Sequence, residues 1–370
     1  MKNSTESRVP RKRAVSRRRR ELTIGIDLGD RVSRYCVLDD EGNVLFERSA
    51  ATSKKGLAQA FASVAASRIA LEVGTHSPWV KRLLESWNHE VIVANARRVK
   101  LITESTRKDD RLDARTLARL ARADPQLLSP IRHRSETAQA HLVMIRARAA
   151  LVDARTKLVN SARGLTKSFG ERLPSCDTDR VSVGLLVDLP PSLQAALQPL
   201  MTVARSLTEQ IHIYDQKIAQ IARSEYPETA RLRQVTGVGE LIALSYVLTL
   251  DDPQRFRRSR DVGGFLGLRP KRRDSGNSRP QLRITKEGDG YLRKLLVQGA
   301  QYILGWRGPD TDLRRWGLTL AARGGKNAKK RAVVAVARKL AVLLHRLWVT
   351  GDRYQPLRPS QAAPNSSAAA

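Results

Sequence analysis

The sequence predicts an α/β domain followed by a mainly helical one, with a pair of long helices between them. Three observations carry this. Short apolar runs bounded by turn residues fill the first third, apolar residues at alternating spacings of three and four fill the middle, and a second set of glycine turns and helices opens near Arg231. At 370 residues the chain is too long for one small core, so two or three domains are expected.

Residues 1–20 include Arg17-Arg-Arg-Arg20 and almost nothing apolar, and read as a basic, disordered arm. The α/β domain spans 21–130. Its strand candidates are 22–28, 34–38, 43–48, 68–73 and 90–94, and the turn Asp39-Asp40-Glu41-Gly42-Asn43 makes a hairpin of the second and third. Helical stretches follow the third, fourth and fifth strands. A three-stranded meander followed by alternating helices and strands is the order of a ribonuclease-H-like fold. Asp27 then ends the central first strand, and Glu72 ends the fourth, next door.

The region 131–229 reads as two long helices, 136–172 and 193–226. Leu142, Ile145, Ala149, Val152, Thr156 and Val159 repeat along the first; Leu193, Leu197, Leu200, Ala204, Leu207, Ile211, Tyr214, Ile218 and Ile221 along the second. That spacing is a coiled-coil seam, and Pro190-Pro191 would let the chain reverse into an antiparallel arm. The spacing fits self-packing and dimerisation equally.

A mainly helical domain spans 230–350. Thr236-Gly-Val-Gly239 has the form of a helix-hairpin-helix turn, in which Gly237 and Gly239 would present amides to a phosphate, although such turns also simply join helices. Arg255-Phe-Arg-Arg-Ser-Arg260, with Arg257 and Arg258, and Arg269-Pro-Lys-Arg-Arg273, with Lys271, Arg272 and Arg273, flank glycines in a way that suits a sugar–phosphate backbone. A basic amphipathic helix, about 326–349, carries Val333, Val336, Leu340, Leu343 and Leu344 on its apolar side. Residues 351–370 read as a disordered tail, Ser/Ala/Pro-rich from 358 onward.

Composition limits the function classes. The formal charge is +31, and the first twenty residues hold only nine Lys or Arg against one Glu, so most of the excess lies in the rest of the chain. Basicity on this scale points to a nucleic-acid partner. No apolar run approaches the roughly 18–20 residues of a membrane-spanning helix, and no apolar segment near the N-terminus resembles a signal peptide. Cys36 and Cys176 are the only cysteines and show no zinc or disulfide spacing. The six histidines, His76, His133 and His212 among them, form no ligand pattern. A soluble, reduced, intracellular protein is expected.

Within this basic chain four acids stand apart. Asp27 and Glu72 end strands, and Asp110 and Asp113 lie three apart in Lys108-Asp-Asp-Arg-Leu-Asp-Ala114, a helical stretch. Each alone reads as a turn residue, a cap or a solvated acid paired with Arg111 or Arg115. Together they fall where one fold would converge them, and hard cations such as Mg²⁺ take several carboxylate oxygens in two-metal phosphoryl chemistry. Ser275, in Asp-Ser-Gly, reads first as a turn residue. Its setting adds a nucleophile reading, because Lys271, Arg272, Arg273, Arg279, Arg283 and Lys286 surround it in sequence and would stabilise phosphoryl charge.

Gly25-Ile-Asp-Leu-Gly29, Leu71-Glu-Val-Gly74 and Lys108-Asp-Asp-Arg-Leu-Asp-Ala114 resemble the four-acid motifs of the bacterial DEDD insertion-sequence transposases of the "IS one-ten" family. The second half is similar to that family's other domain: Thr236-Gly-Val-Gly239, Arg255-Phe256, Gly267-Leu-Arg-Pro270, Asp274-Ser-Gly276, Lys286-Glu-Gly288 and Leu292-Arg293 occur in order. Thr236 departs from the usual proline, and Val73 from the usual small or polar residue. The resemblance implies a RuvC-like domain in which Asp27, Glu72, Asp110 and Asp113 bind Mg²⁺, and Ser275 as the nucleophile that becomes linked to DNA. Lys286 and Arg293 join the nucleic-acid contacts. It further implies double-stranded DNA as substrate, a structured non-coding bridge RNA as guide, homodimers assembling to tetramers, no membrane, and a bacterial cytoplasmic protein that is nucleoid-associated when active. The residues by themselves leave two rivals: a hydrolytic nuclease of Holliday-junction-resolvase type using the same acids with water, and a non-enzymatic nucleic-acid-binding protein.

Overall fold

The structure is a computed structural model that describes residues 22–95, 110–280 and 282–357, without the side chains of Asp110 and Arg111. The expected arm 1–20 and the tail from 358 lie outside the described residues. The chain divides into two compact units, residues 1–133 and 134–370.

The first unit is built on a five-stranded mixed sheet of order β3-β2-β1-β4-β5. The strands are β1 (Thr23–Asp27), β2 (Val32–Leu38), β3 (Val44–Ala51), β4 (Arg68–Glu72) and β5 (Glu90–Ala94). The first three form the antiparallel meander expected from sequence, and β4 and β5 add in parallel. The β2–β3 turn is fixed by Asp39, whose Oδ1 accepts from the amides of Glu41 and Asn43 at 3.0 and 2.8 Å, while Gly42 takes φ +91°.

Alternation divides the sheet's faces. Ile24, Ile26, Tyr35, Val37, Ile69 and Leu71 pack against α1 (Lys54–Phe61) and α2 (Ser77–Glu85) through Leu57, Phe61, Val80 and Leu84. Each such apolar side chain contributes roughly 1.5–3 kcal/mol on burial. The other face, with Gly25, Cys36 and Ala70, is covered by α3 (Asp110–Ala123), whose Ala114, Leu117, Ala118 and Ala121 are buried there. This mixed α/β arrangement is consistent with a ribonuclease-H/RuvC-like domain.

The second unit begins with α4 (Glu136–Lys167) and α5 (Pro191–Ser224), which pair antiparallel with each other. The pairing departs from the expected seam. Thr156 is exposed, and Arg155 is buried in its place, bonded to Asp179 at 2.6 Å and Thr208 at 3.1 Å. Met201, Thr208 and Ala222 are buried, whereas Leu200, Leu207 and Ile221 are only half-buried. Arg148 grips Asp215 with two bonds of 2.8 and 3.1 Å. The middle of the pair is thus polar, and apolar clusters hold its two ends.

The remaining helices are α6 (Glu228–Leu232), α7 (Glu240–Leu250), α8 (Val262–Phe265), α9 (Gly290–Leu304), α10 (Asp312–Ala322) and α11 (Ala328–Thr350). They enclose a core that includes Tyr246, Leu250, Leu292, Leu296, Val336, Leu340 and Leu344. Residues 351–357, expected as the start of a disordered tail, are tied down instead. Asp312 donates its amide to the Pro356 carbonyl at 2.8 Å, and Tyr354 donates to the Gln234 side chain at 2.9 Å.

Candidate active site

In the first unit the site is set by register. β1 and β4 run parallel with Ile26 beside Leu71, so Asp27 and Glu72, the next residues, end neighbouring strands. Asp27 shares a face with Gly25, and Glu72 with Ala70, so both acids stand on the side covered by α3. That helix lies unusually close. A Cβ on Gly25 would fall 2.0 Å from the Ala114 carbonyl oxygen and 2.5 Å from the Ala118 nitrogen. Asp113 immediately precedes Ala114 and is therefore delivered to the ends of β1 and β4.

Two clasps hold the helix there. Arg115 binds Glu47 at 2.7–2.8 Å, and Arg122 donates to the Asp40 carbonyl at 2.7 Å. The loop after Glu72 is fastened as well: the Ser77 hydroxyl accepts from the Gly74 amide at 3.1 Å and lies 3.0 Å from His133 Nε2.

Burial, and then the charge of Asp113, push the Glu72 carboxyl above its ordinary pKa. A crowded, half-buried set of carboxylates suits a hard divalent cation, which would relieve that repulsion. Among the described residues, no group of three or more His, Cys, Asp or Glu side chains is arranged to hold a metal ion. The Asp110 side chain lies outside those residues, although its backbone opens α3 one turn before Asp113. Arg34, which the sequence reading did not single out, stands opposite Asp27 in the β1–β2 register and so on the same face. It is half-buried, and its guanidinium forms no ion pair or hydrogen bond among the described residues. Only the hairpin register reveals it.

In the second unit Ser275 sits at the tip of a hairpin. The stem is made by Lys271 donating to the Arg283 carbonyl and Thr285 to that of Arg269, both at 2.9 Å. At the tip Ser275 and Ser278 exchange backbone bonds of 3.2 and 2.9 Å, and Gly276 turns with φ +53°. Residues 269–280 are all exposed. From Arg269 to Lys286 there are seven cations and one acid, Asp274. Among the described residues the Ser275 hydroxyl has no hydrogen-bond partner.

The hairpin's base is rigid. Gly267 and Gly288 take φ +65° and +69°, and a Cβ on either would collide with backbone at 2.3 or 2.0 Å, so the two chain segments cross where only glycine fits. Arg293 Nη1 donates to the carbonyls of Leu266 at 2.9 Å and Glu287 at 2.8 Å, clamping the crossing.

Two residues expected at a nucleic-acid surface therefore serve packing. Arg293 is this clamp, and Gly237, at φ +86°, lies so close to α9 that a Cβ there would stand 2.9 Å from the Gly299 carbonyl oxygen. Gly239 caps α7 in open space, and Arg257, Arg258, Lys271, Arg272, Arg273 and Lys286 are exposed. The histidines are structural where their bonds are seen: His89 Nδ1 accepts from the Ser67 amide and its Nε2 donates to the Phe61 carbonyl, and His345 lies between Ser259 and the Pro253 carbonyl. No helix among the described residues is long and apolar enough to cross a membrane.

An acid-bearing α/β unit and a basic helical unit suit a protein that acts on nucleic acid, and the matching families make the class the transposases, enzymes that cut and rejoin DNA. A DEDD transposase model of the IS110 type matches residues 24–169, and the model for the "Transposase IS116/IS110/IS902 family" matches residues 229–314. Together they take in well over half the chain, and the chain belongs to this insertion-sequence transposase family. It is similar to the transposase for insertion sequence element IS1111A of Coxiella burnetii, 28% identical over 373 residues covering 96% of this chain and 98% of that one. A probable family 20 transposase of Pseudomonas aeruginosa is 28% identical, covering 90% and 98%. The transposase for element IS1328 of Yersinia enterocolitica is 29% identical, covering 76% and 83%.

Proposed function

We propose that this chain is the recombinase of a mobile insertion sequence, cutting and rejoining double-stranded DNA by serine transesterification under the guidance of a structured non-coding RNA. The observation that carries the catalytic part is the placement of Asp27 and Glu72 at adjacent strand ends beneath the helix that bears Asp110 and Asp113. These four would hold Mg²⁺, which when bound supplies Lewis-acid stabilisation of phosphoryl oxygens and acidifies a nearby hydroxyl. Arg34 would contact a non-bridging oxygen of the same phosphate.

Ser275 Oγ attacks phosphorus, a new P–Oγ bond forms, and the bond to the departing deoxyribose oxygen breaks. The hydroxyl proton leaves Ser275, and a proton is taken up by the departing oxygen. The phosphoserine link keeps the bond energy, so a second deoxyribose hydroxyl can reverse the step without ATP. The exposed hairpin favours this role, since its tip can enter a groove while its cations neutralise phosphates. Gly239, Arg257, Arg258, Lys271, Arg272, Arg273 and Lys286 would position the DNA or RNA backbone. Guidance by RNA and assembly into dimers and tetramers rest on the family resemblance.

The test is Mg²⁺-dependent strand cleavage on DNA carrying the element's ends, with Asp27→Ala and Ser275→Ala compared with wild type. Loss in both supports the recombinase. Cleavage that survives Ser275→Ala but not Asp27→Ala assigns a hydrolytic nuclease instead.

A further inference from the structure

Outside both candidate sites, the side chain of Trp306 is held out into solvent. It is 83% exposed, whereas the other tryptophans are half-buried. An apolar ring of this size normally folds inward. The turn that carries it prevents this. Gly305 donates to the Tyr302 carbonyl and Gly308 to that of Gly305, both at 3.1 Å, closing residues 305–308 onto the end of α9. From beneath, Arg314 Nη1 donates to the carbonyls of Ile303 at 2.6 Å and Gly305 at 2.5 Å. Gly308 passes so near that a Cβ there would lie 2.2 Å from the Ile303 oxygen. The ring is thus presented by a braced turn.

Its surroundings identify the ligand. The Arg307 guanidinium lies over the ring at 4.4 Å and has no carboxylate partner among the described residues. Tyr302, 49% exposed, lies one helical turn earlier. The adjoining exposed face of α9 continues through Gln301, Gln298 and Lys294, the last paired with Asp153 of α4 at 3.6 Å, and α9 itself contains no acidic residue. An apolar protein partner would call for aliphatic neighbours; this surface offers aromatic faces, amide donors and cations. That combination matches an unpaired nucleotide, with the base stacked on an aromatic ring and the phosphate met by a guanidinium.

We propose that Trp306, with Tyr302 and Arg307, is a stacking platform for an unpaired base of single-stranded DNA or RNA. Bases inside a duplex have both faces stacked on their neighbours, so the platform selects single-stranded segments, such as strands opened during exchange or loops of a folded RNA. The proposal rests on the reading that the chain works on nucleic acid.

The experiment is fluorescence anisotropy with the full chain and fluorescein-labelled oligothymidylate, oligouridylate and a mixed-sequence duplex, each about fifteen nucleotides long. Trp306→Ala is expected to weaken single-strand binding roughly 5- to 150-fold, the loss of one stacked base. Trp306→Phe should recover most of it, and duplex binding should stay within about twofold of wild type. Melting temperature should not change, because the ring is exposed. The thymidylate and uridylate arms decide whether the platform serves DNA, RNA or both. Single-strand affinity unchanged in Trp306→Ala, or lost equally for duplex, would overturn the platform while leaving the functional reading intact. A shift in sedimentation with no change in oligonucleotide affinity would overturn it in favour of a protein contact. A wild-type chain that binds none of the three probes would remove the functional reading itself.

Discussion

Replacing Gly25 by alanine tests whether the approach of α3 to the sheet builds the acidic site. The new Cβ would stand 2.0 Å from the Ala114 oxygen, whereas ordinary contacts begin at 3.4 Å. Neither atom can swing aside, because both the oxygen and the Ala118 nitrogen belong to helical backbone. The helix must retreat by about 1 Å or more to restore normal van der Waals separation. It is clasped through Arg115 and Arg122, so retreat also strains those bonds.

Overpacking of this kind costs about 1–3 kcal/mol, which lowers melting of the first unit by several degrees per kcal/mol. Asp113 moves with Ala114. A misplacement of about 1 Å in a catalytic constellation costs on the order of 100-fold in rate. The assay is Mg²⁺-dependent DNA cleavage alongside thermal unfolding, with Gly74→Ala as control, since a Cβ at Gly74 meets nothing within 4 Å. Wild-type cleavage and melting in Gly25→Ala would refute the reasoning. Equal damage in Gly74→Ala would show that the effect does not come from helix approach.

Glu72→Gln removes the crowding with Asp113, so it should raise melting without metal and abolish any stabilisation by Mg²⁺; that stabilisation reaches about 2.7 kcal/mol at a hundredfold excess over Kd, and calorimetry reads both. Arg293→Lys should lose at least one carbonyl bond at the hairpin base, costing about 1.5–3 kcal/mol, and should hasten proteolytic cutting between Arg269 and Lys286. Burial holds the His345 imidazole below its ordinary pKa of 6.5. The folded state therefore binds fewer protons than the unfolded, and the second unit should lose stability as pH falls below about 6.5, with a flatter slope in His345→Gln.

Much of the α/β unit was legible because a strand's period of two specifies its faces. Once Ile24 and Ile26 are assigned to one side, Gly25 and Asp27 must share the other, and the meander order places Glu72 beside Asp27. The length of both long helices was legible for the same kind of reason. Which residues their seam buries was not. Spacings of three and four do not distinguish Leu200 from Met201 or Leu207 from Thr208, and Arg155 is tolerated inside only because Asp179 and Thr208 meet it. Sequence also could not separate cations that face solvent from cations that hold backbone. Arg272 and Arg293 look alike in composition, yet only the crossing of Gly267 and Gly288, made by residues about twenty apart, gives Arg293 its two carbonyls. Trp306 went unnoticed because an isolated tryptophan ordinarily signals core.

The most direct measurement is a search for DNA covalently attached to Ser275. The chain is expressed with its flanking element DNA, purified under denaturing conditions and analysed by mass spectrometry after nuclease digestion. A nucleotide adduct on the Ser275 peptide, absent from both Ser275→Ala and Asp27→Ala, is the predicted result. DNA cleavage by wild type with no such adduct, undiminished in Ser275→Ala, would contradict the account.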